Sequence, residues 1–225
     1  MKTRLFLIIT LVFLFTQLHA QSPRGIHVFV ALCDNVHQGI VPVPEKIGNG
    51  KDPFNNLYWG AGYGVKTYFS KKSGDWKLIM EQKNPSSGIL ERVLFKHNTE
   101  SVYLLADAYD GEKIRMATED FLKAASGHLE VDIEVDGVST QFGGKSDMMV
   151  YIGHDGLMDF DVDMDLSPAN SFFRETIILA CYSKEYFTPH IRAAGAHPLL
   201  WTNGLMAPEA YTLEWALDGW VIDET

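Results

Sequence analysis

The sequence predicts an α/β fold, a three-layer sandwich in which helices pack on both faces of a mainly parallel sheet. Apolar, β-branched runs such as "GIHVFVAL" (25–32) are typical of strands that are buried on both faces. These runs alternate along the chain with segments of helical spacing, as in βαβ units. With 46% hydrophobic residues and five tryptophans, the chain also has the composition of a packed globular protein.

The elements follow one another in a regular order. The first strand, which ends at Leu32, precedes the turn "CDN" and a loop rich in Pro and Gly that suits neither a helix nor a central strand. Asn55 or Asn56 is then predicted to cap a helix through "LYWGAGYGVKTYF". Further predicted strands are "WKLIMEQ", "ILERVLFKH", "SVYLLADAY", "VYIG", "TIILA" and "HPLLWTN". Further predicted helices are "GEKIRMATEDFLKAA", ending at Gly127, "KEYFTPHIRAAG" and "APEAYTLEWALDGW".

A small β-hairpin insertion is predicted over "HLEVDIEVDGVSTQF". Apolar and acidic residues alternate there around Asp136-Gly137, and an Asp-Gly pair is a strong signal for a two-residue hairpin turn. The alternation leaves one face polar, so we expect an edge element.

The amino-terminal residues 1–20 predict a secretory signal peptide. Lys2 and Arg4 precede the apolar run "LFLIITLVFLF", and "TQLHA" then predicts cleavage near Ala20. The apolar run is shorter than the ~20 residues that a membrane span needs. We therefore expect an exported protein, periplasmic or secreted, with no membrane span in the mature chain. Residues 21–225 contain no linker and are predicted to form a single domain.

The charge of the chain argues against a nucleic-acid partner. The formal charge is -10, and it becomes -12 when Lys2 and Arg4 are removed, so phosphates would be repelled. We expect no cofactor and no metal, because the sequence lacks a zinc-protease helix signature, a nucleophile-elbow serine and a phosphate-cradling loop. The acidic run "DFDVDMD" (159–165) is interpreted as a solvated face and not as a cation site.

Two apolar runs end on residues with nucleophile or base chemistry, His154 in "VYIGHDG" and Cys181 in "TIILACYS". Functional groups gather beyond the carboxyl ends of parallel strands, and a cysteine nucleophile needs a nearby histidine or another cationic influence. Gly156 and Cys181 offer backbone amides for an oxyanion. The candidate substrate-binding residues are Asp34, Asn35 and Asp155. A blander interpretation makes His154 a hydrogen-bonded turn residue and Cys181 a core residue.

The blocks "YIGHDG" and "ILAC" resemble, in this order, the two catalytic blocks of the caspase-like cysteine peptidases, the group of caspases, legumains, gingipains and clostripain. The resemblance implies a caspase-like sheet, Cys181 as nucleophile, His154 as general acid/base, and a peptide or protein as substrate. In two respects the chain departs from the family pattern. Asp155 stands between His154 and Gly156, and the separation 181 − 154 = 27 residues is short. The alternative is a non-catalytic, caspase-like pseudoenzyme that serves as a binding or scaffold module.

Cys33 and Cys181 are the only cysteines. In an exported protein they could form one disulfide, or Cys181 could stay a reactive thiol. The strand order that the resemblance implies puts the strand ending at His154 between the strands that precede the two cysteines. A disulfide needs Cα atoms within about 7 Å, whereas strands two positions apart lie about 10 Å from each other. On that order, two free thiols are predicted.

Overall fold

The computed structural model describes residues 23–135 and 138–222, and these form nine β-strands and four α-helices. The strands are β1 (Arg24–Ala31), β2 (Trp76–Ser86), β3 (Ile89–His97), β4 (Val102–Tyr109), β5 (Glu130–Val135), β6 (Val138–Gly143), β7 (Met148–Ile152), β8 (Glu175–Leu179) and β9 (His197–Trp201). The helices are α1 (Val65–Lys71), α2 (Ile114–Ser126), α3 (Ser183–Ala193) and α4 (Ala210–Val221). The predicted signal peptide and the predicted hairpin tip at Asp136-Gly137 lie outside the described residues. In the described part of the chain, no helix combines the length and the hydropathy of a membrane span.

Seven strands form the central sheet, in the order β2-β3-β4-β1-β7-β8-β9. The five strands from β4 to β9 in this order are parallel to one another, whereas β3 is antiparallel to β4 and β2 is antiparallel to β3. The prediction of a mixed α/β fold with a mainly parallel sheet is therefore confirmed.

Strand β7 lies between β1 and β8. The register pairs Val30 with Ile152 and Ile152 with Leu179, so the three strands end together at one edge of the sheet. This confirms the prediction that the strands ending near Leu32, Gly153 and Ala180 are parallel neighbours or near-neighbours. Both cysteines, which follow β1 and β8, are free.

Helices cover both faces of the sheet because alternate strand residues point to opposite sides. Val30 and Ile152 belong to one core, which α1 and α4 complete. Phe29 and Tyr151, their neighbours in sequence, belong to a second core, which α2 and α3 complete. Helix α2 ends as predicted at Gly127, whose φ of 87° is the left-handed conformation that glycine adopts at helix ends.

The hairpin of β5 and β6 forms a two-stranded sheet of its own. Its apolar residues Ile133 and Phe142 are buried against Leu94 of β3 and Leu105 of β4. The hairpin is not part of the main sheet: the apolar side of its alternating pattern covers a face of that sheet, and each of its two strands is paired on one side only.

The predicted helix from Asn55 or Asn56 is much shorter than expected and begins only at Val65. The side-chain oxygen of Asn56 accepts the Cys33 N–H at 3.0 Å, and its amide nitrogen donates to the Cys33 carbonyl at 2.9 Å. Asn56 therefore ties its segment to the end of β1 instead of capping a helix. The three glycines of "WGAGYG" also disfavour a helix there.

Candidate functional site

The candidate site lies at the edge of the sheet where the parallel strands end. Ile152 of β7 pairs with Leu179 of β8. His154 lies two residues after Ile152, and Cys181 lies two residues after Leu179. Neighbouring strands lie about 4.8 Å apart, so the two residues leave adjacent strands side by side. They share one edge, as expected from the sequence.

A carboxylate orients the ring of His154. The side chain is only 5% exposed, and its Nε2 lies 2.7 Å from Oδ2 of Asp159. An ionised carboxylate only accepts hydrogen bonds, so this contact requires the ring hydrogen on Nε2. Nδ1 has no hydrogen-bond partner among the described residues, and in the neutral ring it carries the lone pair that can take a proton.

Asp159 was missed as a site residue by the sequence interpretation. The short 3₁₀ helix Gly156–Met158 folds the chain back so that Asp159 meets His154. Its Oδ2 also accepts the backbone N–H of Gly39 at 3.0 Å, and a Cβ atom at Gly39 would lie 2.5 Å from Oδ1. The position of an acidic residue shortly after "HDG" was the sequence signal that could have indicated this role. Of the acidic run, the other aspartates are exposed, as the solvated-face interpretation requires: Asp161, Asp163 and Asp165.

Cys181 lies at a sharp change from strand to helix. It is partly exposed, and the next residue, Tyr182, has a left-handed φ of 49° before α3 begins at Ser183. Such a conformation is strained for a bulky residue and often marks a functional turn. The backbone of Met206 flanks the sulfur, with its nitrogen 3.5 Å and its oxygen 3.6 Å from Sγ.

Cys33 has a different environment from Cys181. It is fully buried, and burial raises the pKa of its thiol to about 11 although Tyr58 hydrogen-bonds to it. Burial raises the pKa of Tyr58 as well. At neutral pH, Cys33 is therefore a protonated core thiol.

Hydrogen bonds with nearby side chains fix the backbone around Asp155 and Gly156. The Tyr151 hydroxyl donates to the His154 carbonyl at 2.8 Å. Asp155 is fully buried, and its Oδ1 accepts the Leu157 N–H at 3.0 Å while Oδ2 has no partner. Burial raises the pKa of Asp155 to about 7. Asp155, which was predicted as a substrate contact, is thus buried, and a role of the Gly156 amide at an oxyanion stays a prediction.

Asp34 and Asn35 hold the loop that follows β1. Oδ1 of Asp34 accepts the backbone N–H groups of Val36 and His37, and Oδ2 lies 3.0 Å from Nδ1 of His37. The Asn35 side chain forms two hydrogen bonds with the backbone of Val43. Their polar atoms are occupied by these contacts, and a role in substrate binding stays a prediction.

The structure thus brings His154, Asp159 and Cys181 to one edge, but no hydrogen bond joins Cys181 to His154 among the described residues. Nor do residues 23–135 and 138–222 contain a group of three or more His, Cys, Asp or Glu side chains that could hold a metal ion. An oriented imidazole beside a partly exposed thiol can support nucleophilic thiol chemistry.

The chain was compared with protein-family models, with curated proteins and with solved structures. None of the three comparisons returns a match.

Proposed function

We propose that the protein is a cysteine hydrolase that cleaves peptide bonds, with Cys181 as nucleophile and His154 as general acid/base. The observation that carries the proposal is the pairing of β7 with β8, because both residues follow the same register pair by two positions. Asp159 is the positioning residue, since its contact with Nε2 leaves Nδ1 of His154 to take a proton.

In the proposed reaction, Nδ1 of His154 takes the proton from Sγ of Cys181. The thiolate forms a bond to the carbonyl carbon of the peptide bond, and the carbonyl oxygen becomes an oxyanion. His154 then gives the proton to the leaving amine as the C–N bond breaks, which leaves a thioester on Cys181. Water, deprotonated by His154, attacks the thioester, and the carboxylic acid product leaves as the Cys181 thiol is restored.

The fold that we propose for this chemistry is caspase-like. The parallel strands have the order β4-β1-β7-β8-β9, and the two candidate residues follow the third and fourth of them along the chain. This order agrees with the one that the resemblance of "YIGHDG" and "ILAC" implies. The β5-β6 hairpin, which precedes β7, is the proposed insertion.

Export is part of the proposal and depends on the sequence of residues 1–20 alone. A periplasmic or secreted hydrolase would meet peptide or protein substrates outside the cytoplasm. Amino-terminal sequencing of the protein from its native host, with cell fractionation, tests this: we expect a chain that begins near Gln21. A cytoplasmic chain that retains Met1 would contradict export and leave the chemistry to be judged separately.

Selective alkylation tests the chemistry. The folded protein is treated with iodoacetamide near neutral pH, and each cysteine is followed by peptide mass spectrometry. We expect Cys181 to react quickly and Cys33 to stay unlabelled until unfolding, because Cys33 is fully buried with a pKa of about 11. Prior alkylation and Cys181→Ala should each abolish hydrolysis of a fluorogenic peptide mixture. The matched variant Cys33→Ala should keep both reactions, and unchanged hydrolysis by Cys181→Ala would disprove the assignment.

A second candidate is a non-catalytic binding or scaffold module with the same fold. One observation favours it: among the described residues, no hydrogen bond joins the Cys181 and His154 side chains. For this candidate, Cys181 should alkylate no faster than a model thiol, and the wild-type protein should hydrolyse none of the peptides. Rapid alkylation together with turnover would eliminate it.

A further inference from the structure

A groove of about 850 Å³ lies between the loop after β1, helix α1 and strands β2 and β3. This volume is within the ~300–1,000 Å³ that is usual for ligand sites. Five lysines line the groove, which we call the lysine groove: Lys46, Lys51, Lys66, Lys71 and Lys83. It contains none of the residues of the candidate catalytic site.

The three carboxylates that line the groove already have partners. Glu81 and Glu91 each lie 2.8 Å from Nζ of Lys66. Asp52 accepts a hydrogen bond from the side chain of Asn55 at 2.7 Å and one from the backbone N–H of Phe54 at 3.1 Å. Glu81 and Glu91 share the single charge of Lys66, and the neutral partners of Asp52 leave its charge in place. Five lysines against three carboxylates leave the lining with a formal charge of +2.

Three lysines of the groove form no ion pair among the described residues: Lys46, Lys71 and Lys83. All three are exposed, and Lys51 pairs with Glu112, which does not line the groove. This concentration of positive charge is local, because the whole chain carries a formal charge of -10. A groove of opposite sign to the rest of the protein attracts anionic groups.

The groove also has an apolar part and a distorted strand. Leu78 and Leu90 contribute to its lining, and Phe54 is 82% exposed beside them. At its edge, β2 has an irregular register between Lys83 and Ser86, where Asn84 has a left-handed φ of 47°. Bulges of this kind redirect side chains and are frequent next to functional sites. The ligand that fits is elongated and anionic, with an apolar side chain.

One end of the lysine groove, at Lys83, lies near the edge of the sheet where Cys181 lies. Lys83 pairs with Glu91 of β3, Glu91 pairs with Ala108 of β4, and Ala108 is aligned with Val30 next to the end of β1. Strand β3 is four strand spacings from β8 in the sheet order. At about 4.8 Å per spacing this is roughly 19 Å, which about six extended residues would span at about 3.3 Å each.

We propose that the lysine groove binds an acidic segment of a polypeptide substrate, about six residues from the bond cleaved at Cys181. Carboxylates of the segment contact Lys46, Lys71 and Lys83, and an apolar side chain packs near Phe54. The position of the segment relative to the cleaved bond rests on the proposed function, whereas binding of the acidic segment does not.

Binding is measured first, by fluorescence anisotropy with the full chain carrying Cys181→Ala. The probe is a fluorescein-labelled peptide of glutamate and serine with a single leucine, compared with its lysine counterpart. We expect the glutamate peptide alone to bind, and to bind more weakly as salt is added. Lys71→Glu with Lys83→Glu should weaken binding roughly tenfold or more, whereas Lys77→Glu, an exposed residue of β2 outside the groove, should change it less than about twofold.

Three results would overturn the proposal: equal binding of both peptides, unchanged binding by the double variant, or complete displacement by millimolar inorganic phosphate, which would indicate a site for small anions. A second measurement tests the position of the segment. With Cys181 intact, the double variant should raise KM only for substrates with an acidic segment about six residues from the cleaved bond, with kcat unchanged. If the wild type binds the glutamate peptide but hydrolyses nothing, the proposed function fails and the groove assignment stands.

Discussion

This molecule contains two histidine–aspartate pairs, His27 with Asp107 and His154 with Asp159. In both pairs Nε2 of the histidine contacts the carboxylate, but the pairs differ in the partner of Nδ1 and in the exposure of the aspartate. Nε2 of His27 lies 3.1 Å from Asp107, and its Nδ1 accepts the N–H of Gly143 at 3.2 Å. Both members of this pair are fully buried. In the second pair, Nδ1 of His154 has no hydrogen-bond partner among the described residues, and the Asp159 side chain is 32% exposed.

In the buried pair, the surroundings favour a neutral His27 and an ionised Asp107. Burial lowers the pKa of His27 despite the neighbouring carboxylate. Burial alone would raise the pKa of Asp107, but hydrogen bonds from Arg92 and His27 outweigh it, and the pKa is lowered. Arg92 makes two of these bonds, at 2.6 and 2.7 Å. The comparison teaches that a ring nitrogen without a hydrogen-bond partner in the described part of the chain, and not the carboxylate partner, distinguishes the candidate catalytic histidine from the structural one.

The largest effect that we expect comes from His154→Gln. Loss of the general acid/base should lower kcat/KM by about 10²- to 10⁴-fold while the midpoint of urea unfolding stays close to that of the wild type. The matched variant His27→Gln should do the opposite, with lower stability and unchanged kcat/KM per folded molecule. Peptide hydrolysis and urea unfolding of both variants measure this, and full turnover by His154→Gln would remove the distinction between the two pairs.

Next in size is the stability change from Asp107→Ala. The substitution leaves His27 and Arg92 without their acceptor in the core, and breaking a buried ion pair in this way costs about 3–5 kcal/mol. The free energy of unfolding in urea measures it. Asp132→Ala on the exposed side of β5 serves as control and should change stability by about 0.5 kcal/mol or less. Equal effects of the two substitutions would mean that the buried pair contributes nothing to the fold.

The smallest effect concerns Asp155, a carboxyl group with a single backbone partner and no histidine. Burial raises its pKa from 3.8 to about 7, so between these values the folded protein holds a proton that the unfolded chain has lost. Its contribution to stability therefore grows as pH falls from about 7 toward about 4, and is lost as pH rises through about 7. When the pH is raised from 5 to 8, the free energy of unfolding of Asp155→Asn should increase by about 1–3 kcal/mol relative to that of the wild type.

Urea unfolding at the two pH values measures this gain, with the exposed Asp161→Asn as control. A difference between wild type and Asp155→Asn that does not change with pH would contradict the raised pKa.

The strands that position the site could be predicted because β1, β7 and β8 are buried on both faces and so appear as continuous apolar runs. Helix α1 could not be placed correctly, because what decides its start is not local. Asn56 bonds to the backbone of Cys33, 23 residues earlier, and a propensity pattern contains no information about such a contact. The same holds for the hairpin, whose alternation predicts an apolar face but not what that face covers.

At the candidate site, His154 and Cys181 were identifiable because each follows an apolar run that needs neither residue. The partner of His154 was missed, because Asp159 reaches it through the 3₁₀ turn at Gly156–Met158, a local fold that an apolar pattern does not predict.

The position of β7 between β1 and β8 also determines how the protein responds to an oxidant. Cys33 and Cys181 follow strands two spacings apart, about 9.6 Å, whereas a disulfide needs Cα atoms within about 7 Å. Internal cross-linking is therefore blocked by the strand order. An oxidant that reaches Cys181 converts it to a sulfenic acid or, with a small thiol, to a mixed disulfide, and a free thiol reverses both. We therefore expect mild oxidation of Cys181 to be reversible and to form no internal disulfide.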